Sequence, residues 1–297
     1  MTVIQLKPHA RLFEQNRDFM YAVAYRMLGS MSDAEDIVQD AWFRWRTTPV
    51  NEIESPRAWL ATTVSRLCID RQRKRKIEKL NYLGPWLPEP ITTEPEKTDG
   101  NPEQRASIAE NISIALLFML EKLTPLERGV FILRECFDFA HDEIAAMLDI
   151  KVAYSRQLLR RARDTLGDIP DRSTEAPDHE TEAIMQRFAN ALTAQDLDAL
   201  REILSDDIIA YSDGGGRVRA AIIPLVGFDK VTTVFLHLMK RGKIPAHSRT
   251  QWVNGRRARV SYTEDGIDSV TTIDIAGGKI RRIYTIRNPN KLAYIDS

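Results

Sequence analysis

The sequence predicts a multidomain protein in which two all-α domains precede one α+β domain. Apolar residues recur at helical spacing from about residue 10 to residue 166, with a proline-rich interruption between residues 82 and 104. A second proline-containing stretch follows near residue 170, and beyond it the pattern changes to strand-like alternation around two short glycine turns. A length of 297 residues agrees with two or three domains.

Composition and charge exclude several classes of protein. Lys plus Arg and Asp plus Glu both number 42, so the chain is not basic throughout. No apolar run approaches the ~18 residues of a membrane helix, and residues 1–10 lack the apolar stretch of a signal peptide. Cys68 and Cys136 lie in helical sequence, which suits a reducing compartment. We therefore expect a cytoplasmic protein with no membrane partner.

Basic residues are concentrated in two places. Residues 71–79 hold six basic groups and one acid, and residues 151–163 hold five basic groups and no acid. Two such clusters on a neutral chain indicate two contact points on a polyanion. Taken alone, each cluster is equally well explained as a solvated charged surface.

The first helical domain is predicted to contain three helices between residues 10 and 80. Gly29 ends the first helix. Ser32 and Glu35 fit a capping box that begins the second helix. Ser55 and Pro56 begin the third, which leads into the first basic cluster.

The segment that follows contains five prolines between residues 82 and 104, which excludes a helix and predicts a linker. Its apolar stretch, Pro85 to Pro88, includes Trp86. A solvated tether has no use for a tryptophan, so we expect this stretch to dock on another part of the chain.

The second helical domain ends in a helix-turn-helix pattern. One long helix is predicted from about residue 105 to Leu123, and Thr124 to Glu127 cap the next. A short helix near residues 143–148, a turn at 149–153 and an arginine-rich helix to Leu166 then follow.

The remaining sequence predicts an α+β domain. A helix is expected over residues 180–203, followed by strands near residues 208–211, 249–262 and 267–287. The Asn254–Gly255 and Gly277–Gly278 pairs are typical of two-residue hairpins. Helices before antiparallel hairpins indicate helices packed on one curved sheet.

Particular segments resemble extracytoplasmic-function (ECF) RNA polymerase sigma factors. Residues 32–42 are similar to the helix of region 2 that docks on the polymerase, and residues 56–60 and 70–73 to its −10 reading helix. Residues 123–128 and 156–163 resemble region 4. The remainder resembles a SnoaL-like domain, a cone-shaped α+β barrel that some of these factors carry. Residues 84–90, 213–217 and 288–292 match that subgroup, although Arg217 stands where lysine is usual and Ser155 where an apolar residue is common.

The resemblance and the composition together give five predicted segments. They are region 2 (8–81), a Pro-rich linker (82–104), region 4 (105–168), an acidic linker (169–178) and a SnoaL-like regulatory domain (179–297).

The resemblance implies a sigma factor that binds core RNA polymerase and promoter DNA, as duplex at −35 and as melted strand at −10. Arg and Gln side chains on a helix can bond guanine and adenine edges in the major groove, and an unstacked base needs a pocket beside a positive track. The predicted −35 residues are Lys151, Tyr154, Arg156, Gln157, Arg160 and Arg161, and the predicted −10 residues are Arg57, Trp59, Arg66, Asp70, Arg71 and Arg73. The predicted polymerase-binding residues are Asp36, Gln39, Asp40 and Trp42.

Several of these assignments keep an alternative. Trp59 can stack on a base, but it is more typical of a core residue, and Trp42 and Trp45 can equally fill the domain core. Arg161 and Arg163 can face phosphates or pack internally.

We further hypothesise a regulatory contact within the chain. Glycine alone takes positive φ freely, so the Gly214–Gly216 triplet suits a tight loop. This loop and the tail at 288–292 are expected to contact the first linker or the −10 domain. The predicted residues are Trp86, Leu87, Pro88, Asp213, Gly214, Gly215, Gly216, Arg217, Asn288, Pro289, Lys291 and Leu292.

Two rival functions remain. SnoaL-like barrels can catalyse acid–base reactions with an Asp/His pair, for which His237, His247, Asp213 and Asp274 are available. His237 lies in apolar helical sequence and is more typical of a core histidine. No metal spacing or cofactor fingerprint is present, so we predict no enzyme, cofactor or metal.

The other rival is a ligand-sensing helix-turn-helix regulator that works without polymerase. Both the regulator hypothesis and the sigma-factor hypothesis allow the barrel to bind a small apolar ligand. The regulator reading leaves the first basic helix and the acidic docking surface unexplained.

Overall fold

The computed structural model describes residues 3–49, 53–93, 112–167, 178–245 and 247–296. These residues form two compact units, and the fold class predicted from the sequence is confirmed. A helical unit holds the residues up to Leu80 and those from Leu117 to Gly167. The α+β unit holds residues 81–93, 112–116 and 178–296. The later part of the Pro-rich linker, residues 105–111 of the predicted long helix, and the acidic linker up to residue 177 lie outside the described residues.

Eight helices are described up to residue 166. They are α1 (Val3–Gln15), α2 (Arg17–Leu28), α3 (Met31–Trp45), α4 (Pro56–Leu80), α5 (Ile114–Leu120), α6 (Pro125–Glu135), α7 (His141–Leu148) and α8 (Val152–Leu166). None of the described helices has the length and apolar content needed to span a bilayer.

The helix boundaries correct the sequence-based predictions in three places. α1 was not predicted. The cap of α3 is Ser30 rather than Ser32, since the Ser30 hydroxyl accepts a hydrogen bond from the Asp33 amide at 3.2 Å. The predicted long helix is shorter in its described part, because Ile112 and Ser113 are not helical and α5 covers only Ile114–Leu120.

Two predicted helix starts are confirmed. The Ser55 hydroxyl accepts from the Ala58 amide at 3.3 Å ahead of α4. Thr124 and Glu127 form a reciprocal capping box at the start of α6. Both starts were predictable because a cap depends on residues within one turn of each other.

A buried carboxylate links α3 to α4 in the helical unit. Asp33 contacts the Arg71 guanidinium at 2.9 Å and that of Arg75 at 2.6 Å. Arg75 also donates to the Leu28 carbonyl at 2.8 Å. Because Arg75 and Asp33 are almost fully buried, this part of the basic cluster stabilises the helical packing.

A second carboxylate, Glu121, joins the two helical regions. It accepts from Lys79 at the end of α4 and from Arg128 of α6, the latter at 2.8 Å. Arg128 also donates to the Arg26 carbonyl at 3.2 Å. Burial by itself raises the pKa of Glu121, but the positive charges of Arg128 and Lys79 outweigh it and lower the pKa to about 2.

The described part of the α+β unit contains one mixed six-stranded sheet, three α-helices and a short 3-10 helix (Pro289–Lys291). The elements are α9 (Asp178–Ala194), α10 (Leu197–Ile203), β1 (Leu204–Asp213), β2 (Leu225–Val226), α11 (Phe228–Lys240), β3 (His247–Val253), β4 (Arg256–Thr263), β5 (Gly266–Ala276) and β6 (Lys279–Ile286). The strand order is β2-β1-β6-β5-β4-β3, and β1 runs parallel to β6 while all other pairs are antiparallel. Both predicted hairpins are present, but the helix predicted over 180–203 is broken at Gln195, which has a φ of 56°.

Side chains alternate between the two sides of this sheet. Ala210, Ile283 and Ile273 occupy paired positions on neighbouring strands and belong to the apolar core formed with the helices, so they define the helix side. Val260, Val270, Ile286 and Asp213 are paired on the opposite side. All four are buried, although they lie outside the core formed with the helices.

The Glu121 contacts predict an acid dependence of the helical packing. The unfolded pKa is near 4.5 and the folded pKa is about 2, so the stabilisation is fully present above pH 4.5 and is lost as the pH falls towards 2. The Glu121 contacts contribute about 3 kcal/mol to the free energy of unfolding at neutral pH. Hydrogen exchange of α6 amides in the full chain should show this acid loss.

Glu121→Gln should lower protection at neutral pH and remove that acid dependence. Glu54→Gln, which alters an exposed carboxylate, is the control. Identical pH profiles for the wild type and Glu121→Gln would contradict the assignment.

Candidate nucleic-acid surfaces and a docked linker

The second helix of the helix-turn-helix, α8, separates its polar and apolar residues by side. The buried residues are Ser155, Leu158, Leu159, Ala162 and Leu166. The exposed residues include every predicted −35 contact: Lys151, Tyr154, Arg156, Gln157, Arg160 and Arg161. The helix therefore presents donors for both base edges and phosphates on one exposed surface.

Ser155, which stands where an apolar residue is common, has a structural partner. Its buried hydroxyl lies 2.9 Å from Nδ1 of His141 at the start of α7, so the two helices are joined by a hydrogen bond. Burial and the positive charges of Arg134, Arg156 and Arg163 lower the pKa of His141. The same positive field favours a phosphate backbone near α8.

Arg163 is placed differently from the other arginines of α8. Its guanidinium pairs with Glu135 of α6 at 2.8 Å. Arg161 and Arg163 are both exposed, so neither packs internally, and Arg163 differs only in that its guanidinium is held by Glu135.

The predicted −10 residues lie along α4 and differ in their surroundings. Arg73 is exposed and pairs with Asp70 at 3.1 Å, in line with an orienting role for Asp70. Arg71 is committed to Asp33 and also contacts Glu78 at 3.2 Å. Trp59 is half-buried and packs edge-to-face on Trp45.

Two further −10 candidates contact other parts of the helical unit. Arg66 donates to the Met147 carbonyl at 2.7 Å, which places its charge at the C-terminus of α7, where a cation is favoured. The Arg57 guanidinium lies 4.0 Å from the Phe19 ring centroid. In this arrangement Arg66 helps hold α7 against α4.

The predicted polymerase-binding residues lie on α3. Asp36, Gln39 and Asp40 are exposed, whereas Trp42 is half-buried and packs edge-to-face on Phe13. The acids therefore form the accessible part of this surface.

In the α+β unit, Asp213 at the end of β1 is fully buried and contacts the first linker. Its Oδ2 accepts from the Leu87 amide at 2.8 Å and from the Lys291 ammonium at 2.7 Å. Its Oδ1 accepts from the Tyr82 hydroxyl at 2.5 Å. This carboxylate thus brings the linker, β1 and the tail to one point.

Aromatic rings of the linker surround the Lys291 ammonium. Its Nζ lies 3.8 Å from the ring centroid of Trp86 and 5.0 Å from that of Tyr82, and it donates to the Leu87 carbonyl at 2.6 Å. An ion pair and two cation–π contacts offset part of the cost of burying this charge. We name Tyr82, Trp86, Leu87, Asp213, Asn288 and Lys291 the linker latch.

The glycine loop is shaped by this contact. Gly215 has a φ of 57°, and a Cβ there would lie 2.2 Å from Nδ2 of Asn288 and 2.9 Å from the Tyr82 hydroxyl. Asn288 itself donates to that hydroxyl at 2.9 Å. Arg217 and Pro289, also predicted here, are exposed.

Beyond the latch, the linker hydrogen-bonds to the β3–β4 hairpin and to the tail. Ile91 and Asn254 exchange backbone and side-chain hydrogen bonds at 2.9 and 3.0 Å. The Thr93 amide donates to the Trp252 carbonyl at 2.9 Å, and the Thr92 amide to that of Tyr294 at 3.1 Å. The sequence analysis missed Tyr82, Asn254 and Thr92. The Asn254–Gly255 pair predicted a hairpin turn, but nothing in the sequence indicated that Asn254 also hydrogen-bonds to the linker.

The candidate acid–base residues of the α+β unit do not form a pair. Asp213 is occupied by the latch and Asp274 contacts Arg282 at 2.9 Å. His237 is exposed on α11, which corrects the expectation of a core histidine, and His247 is also exposed. No group of three or more metal-binding side chains occurs among the described residues.

Both helical regions match known family models. Residues 12–77 match Sigma-70 region 2, and residues 113–166 match Sigma-70 region 4. These matches cover most of α4 and all of α8, the two helices that carry the basic clusters.

Relatives extend the likeness over nearly the whole chain. The ECF RNA polymerase sigma factor SigJ of Mycobacterium tuberculosis is 35% identical over 94% of this chain and 91% of its own length. The probable ECF sigma factor SigI of the same species is 28% identical over 97% and 96%. The crystal structure of SigJ aligns with a TM-score of 0.75 at 33% identity, over 94% of this chain and 96% of that one. The chain therefore belongs to the ECF family of RNA polymerase sigma factors.

The linker latch predicts that Asp213→Ala loosens the linker. The substitution removes the carboxylate of the buried ion pair with Lys291, which costs about 3 kcal/mol or more. Hydrogen exchange in the full chain should show faster exchange at the Leu87 and Ile91 amides, with α4 and α8 unchanged. Asp265→Ala, in an exposed hairpin turn, is the control. Unchanged exchange at Leu87 in Asp213→Ala would contradict the latch.

Proposed function

We propose that this chain binds core RNA polymerase and directs it to promoters, with α8 contacting −35 duplex and α4 contacting −10 strand. We also propose that the α+β unit regulates this activity in cis by holding the linker. The observation that carries the proposal is the arrangement of α8, in which all six predicted DNA contacts are exposed and the apolar residues are buried.

The two basic helices support DNA binding of different kinds. The exposed Arg156 and Gln157 on α8 suit base edges in the major groove. On α4, Arg57 and Arg73 are exposed, which suits contact with a strand backbone. Arg66 is exposed as well, although its Nε donates to the Met147 carbonyl.

The proposed polymerase contact rests on charge and exposure. Asp36, Gln39 and Asp40 lie within five residues on one exposed part of α3, where the two carboxylates can meet a basic surface. This surface favours the sigma-factor function over a regulator that works without polymerase.

The proposed regulation rests on the position of the latch in the chain. Residues 81–93 lie between α4 and α5 in sequence and pack within the α+β unit. Holding this segment limits the length of free chain between regions 2 and 4. Asp213 binds the linker and His237 is exposed, and both observations favour this regulatory role over catalysis.

Run-off transcription with core polymerase tests the DNA contacts. Arg156→Ala and Gln157→Ala should each lose about 1–3 kcal/mol of −35 binding, roughly 5- to 150-fold, because each removes a base-edge donor. Arg163→Ala, whose side chain pairs with Glu135, should retain near wild-type promoter preference. Equal losses in all three variants would argue against base contacts by Arg156 and Gln157. If the wild-type chain fails to start transcription from any promoter together with core polymerase, the proposed function is rejected.

Binding to purified core polymerase tests the acidic surface separately. The double variant Asp36→Lys, Asp40→Lys should bind about tenfold or more weakly, because like charges would meet at the contact. Glu54→Lys, also exposed, serves as the control. If Asp36→Lys, Asp40→Lys binds as the wild type does, α3 is not the docking surface.

A further inference from the structure

The helix side of the sheet carries a stripe of polar side chains beside its apolar core. Sheet register pairs Thr250 with Arg259, Arg259 with Thr271, Thr271 with Thr285, and Thr285 with Ser212. Because paired residues share a side and Thr271 is two residues from Ile273, the stripe lies on the helix side. All five residues are half-buried.

Arg259 is the only cation in this stripe. Its guanidinium forms no hydrogen bond or ion pair within the part of the chain that the structure describes, and burial lowers its pKa. A guanidinium has five donors, so partial burial without an acceptor is unfavourable.

Neighbouring arginines show the usual arrangement. Arg257, two residues away on the same side of β4, lies 4.5 Å from the Trp252 ring centroid and 3.6 Å from Glu182. Arg282 pairs with Asp274 at 2.9 Å. Arg259 thus differs from them in lacking an anionic partner among the described residues.

Hydroxyl groups stand on both sides of Arg259 along the stripe. Thr271 and Thr285 are close enough for their hydroxyls to interact, at 3.4 Å. Thr250 lies on the other side of Arg259 in β3. Hydroxyls can donate to the oxygens of an anion that the guanidinium binds.

Apolar side chains adjoin this polar stripe. Ile273 lies one pair further along β5, and Phe235, Leu236 and Met239 of α11 are partly buried against the same core. A ligand that binds both the polar stripe and the adjoining apolar side chains needs an anionic group and an apolar chain or ring.

We propose that Arg259 and the flanking threonines bind the carboxylate of an amphipathic organic acid, whose apolar part lies over Ile273 towards α11. This assignment is independent of polymerase and DNA binding. It differs from the expectation of a purely apolar ligand, because a charged anchor sets the ligand's orientation.

Isothermal titration of the full chain with decanoate, below its micelle concentration, tests the site. The wild type should bind decanoate saturably with one site. Arg259→Gln should weaken binding by roughly tenfold or more, because a charge-assisted pair is lost. Arg259→Lys should retain part of the affinity, since it keeps the charge but not the planar fork.

Arg249→Gln is the matched control. Arg249 is exposed on β3 and is paired with Val260, so it points to the opposite side of the sheet. Its variant should bind decanoate within about twofold of the wild type, since the Arg249 side chain lies on the side of the sheet away from the proposed ligand. Thermal unfolding of each ligand-free variant shows that the fold is retained.

Four outcomes would overturn the proposal. Three are the absence of saturable binding by both decanoate and phenylacetate, equal affinities of the wild type and Arg259→Gln, and equal affinities for decanoate and 1-decanol. Binding of inorganic phosphate as tightly as decanoate would also overturn it, because it would indicate a general anion site without an apolar part.

Discussion

The buried ion pair between Asp213 and Lys291 is the constraint on which the α+β unit depends. Two opposite charges removed from water are tolerated only when each finds further partners. Here those partners come from the linker: the amide and carbonyl of Leu87, the Tyr82 hydroxyl and the Trp86 ring. The linker is therefore part of the charge balance of the domain, and removing it would leave both charges under-compensated.

The helical unit follows a different rule, in which basic residues serve two purposes. Arg71 and Arg75 belong to a cluster that resembles a nucleic-acid surface, yet Asp33 binds both. Arg66 caps α7 through the Met147 carbonyl. Net basicity of a sequence segment thus overstates the charge available to a phosphate backbone. Exposed arginines on α8 give a more direct measure of it.

Local signals were the part of the fold that the sequence predicted well. The capping box of Thr124, the Ser55–Pro56 start and the Asn254–Gly255 hairpin each depend on neighbouring residues, and each is present. The motif pieces at 84–90, 213–217 and 288–292 could be expected to matter, but the choice between the first linker and the −10 domain as their partner could not be made. Tyr82 and Asn254 were missed because their partners lie more than 100 residues away in sequence. The surroundings of Arg259 could not be predicted from the sequence either, because its neighbours come from β3 and β5.

The sequence separation of the latch has a consequence during synthesis. Leu87 and Lys291 are 204 residues apart. At ribosomal rates of about 5–20 residues per second, the linker emerges roughly 10 to 40 s before its buried cation exists. Both helical regions are synthesised by then. Every nascent chain therefore passes through an interval in which both regions exist but the linker between them is not yet bound to the α+β unit.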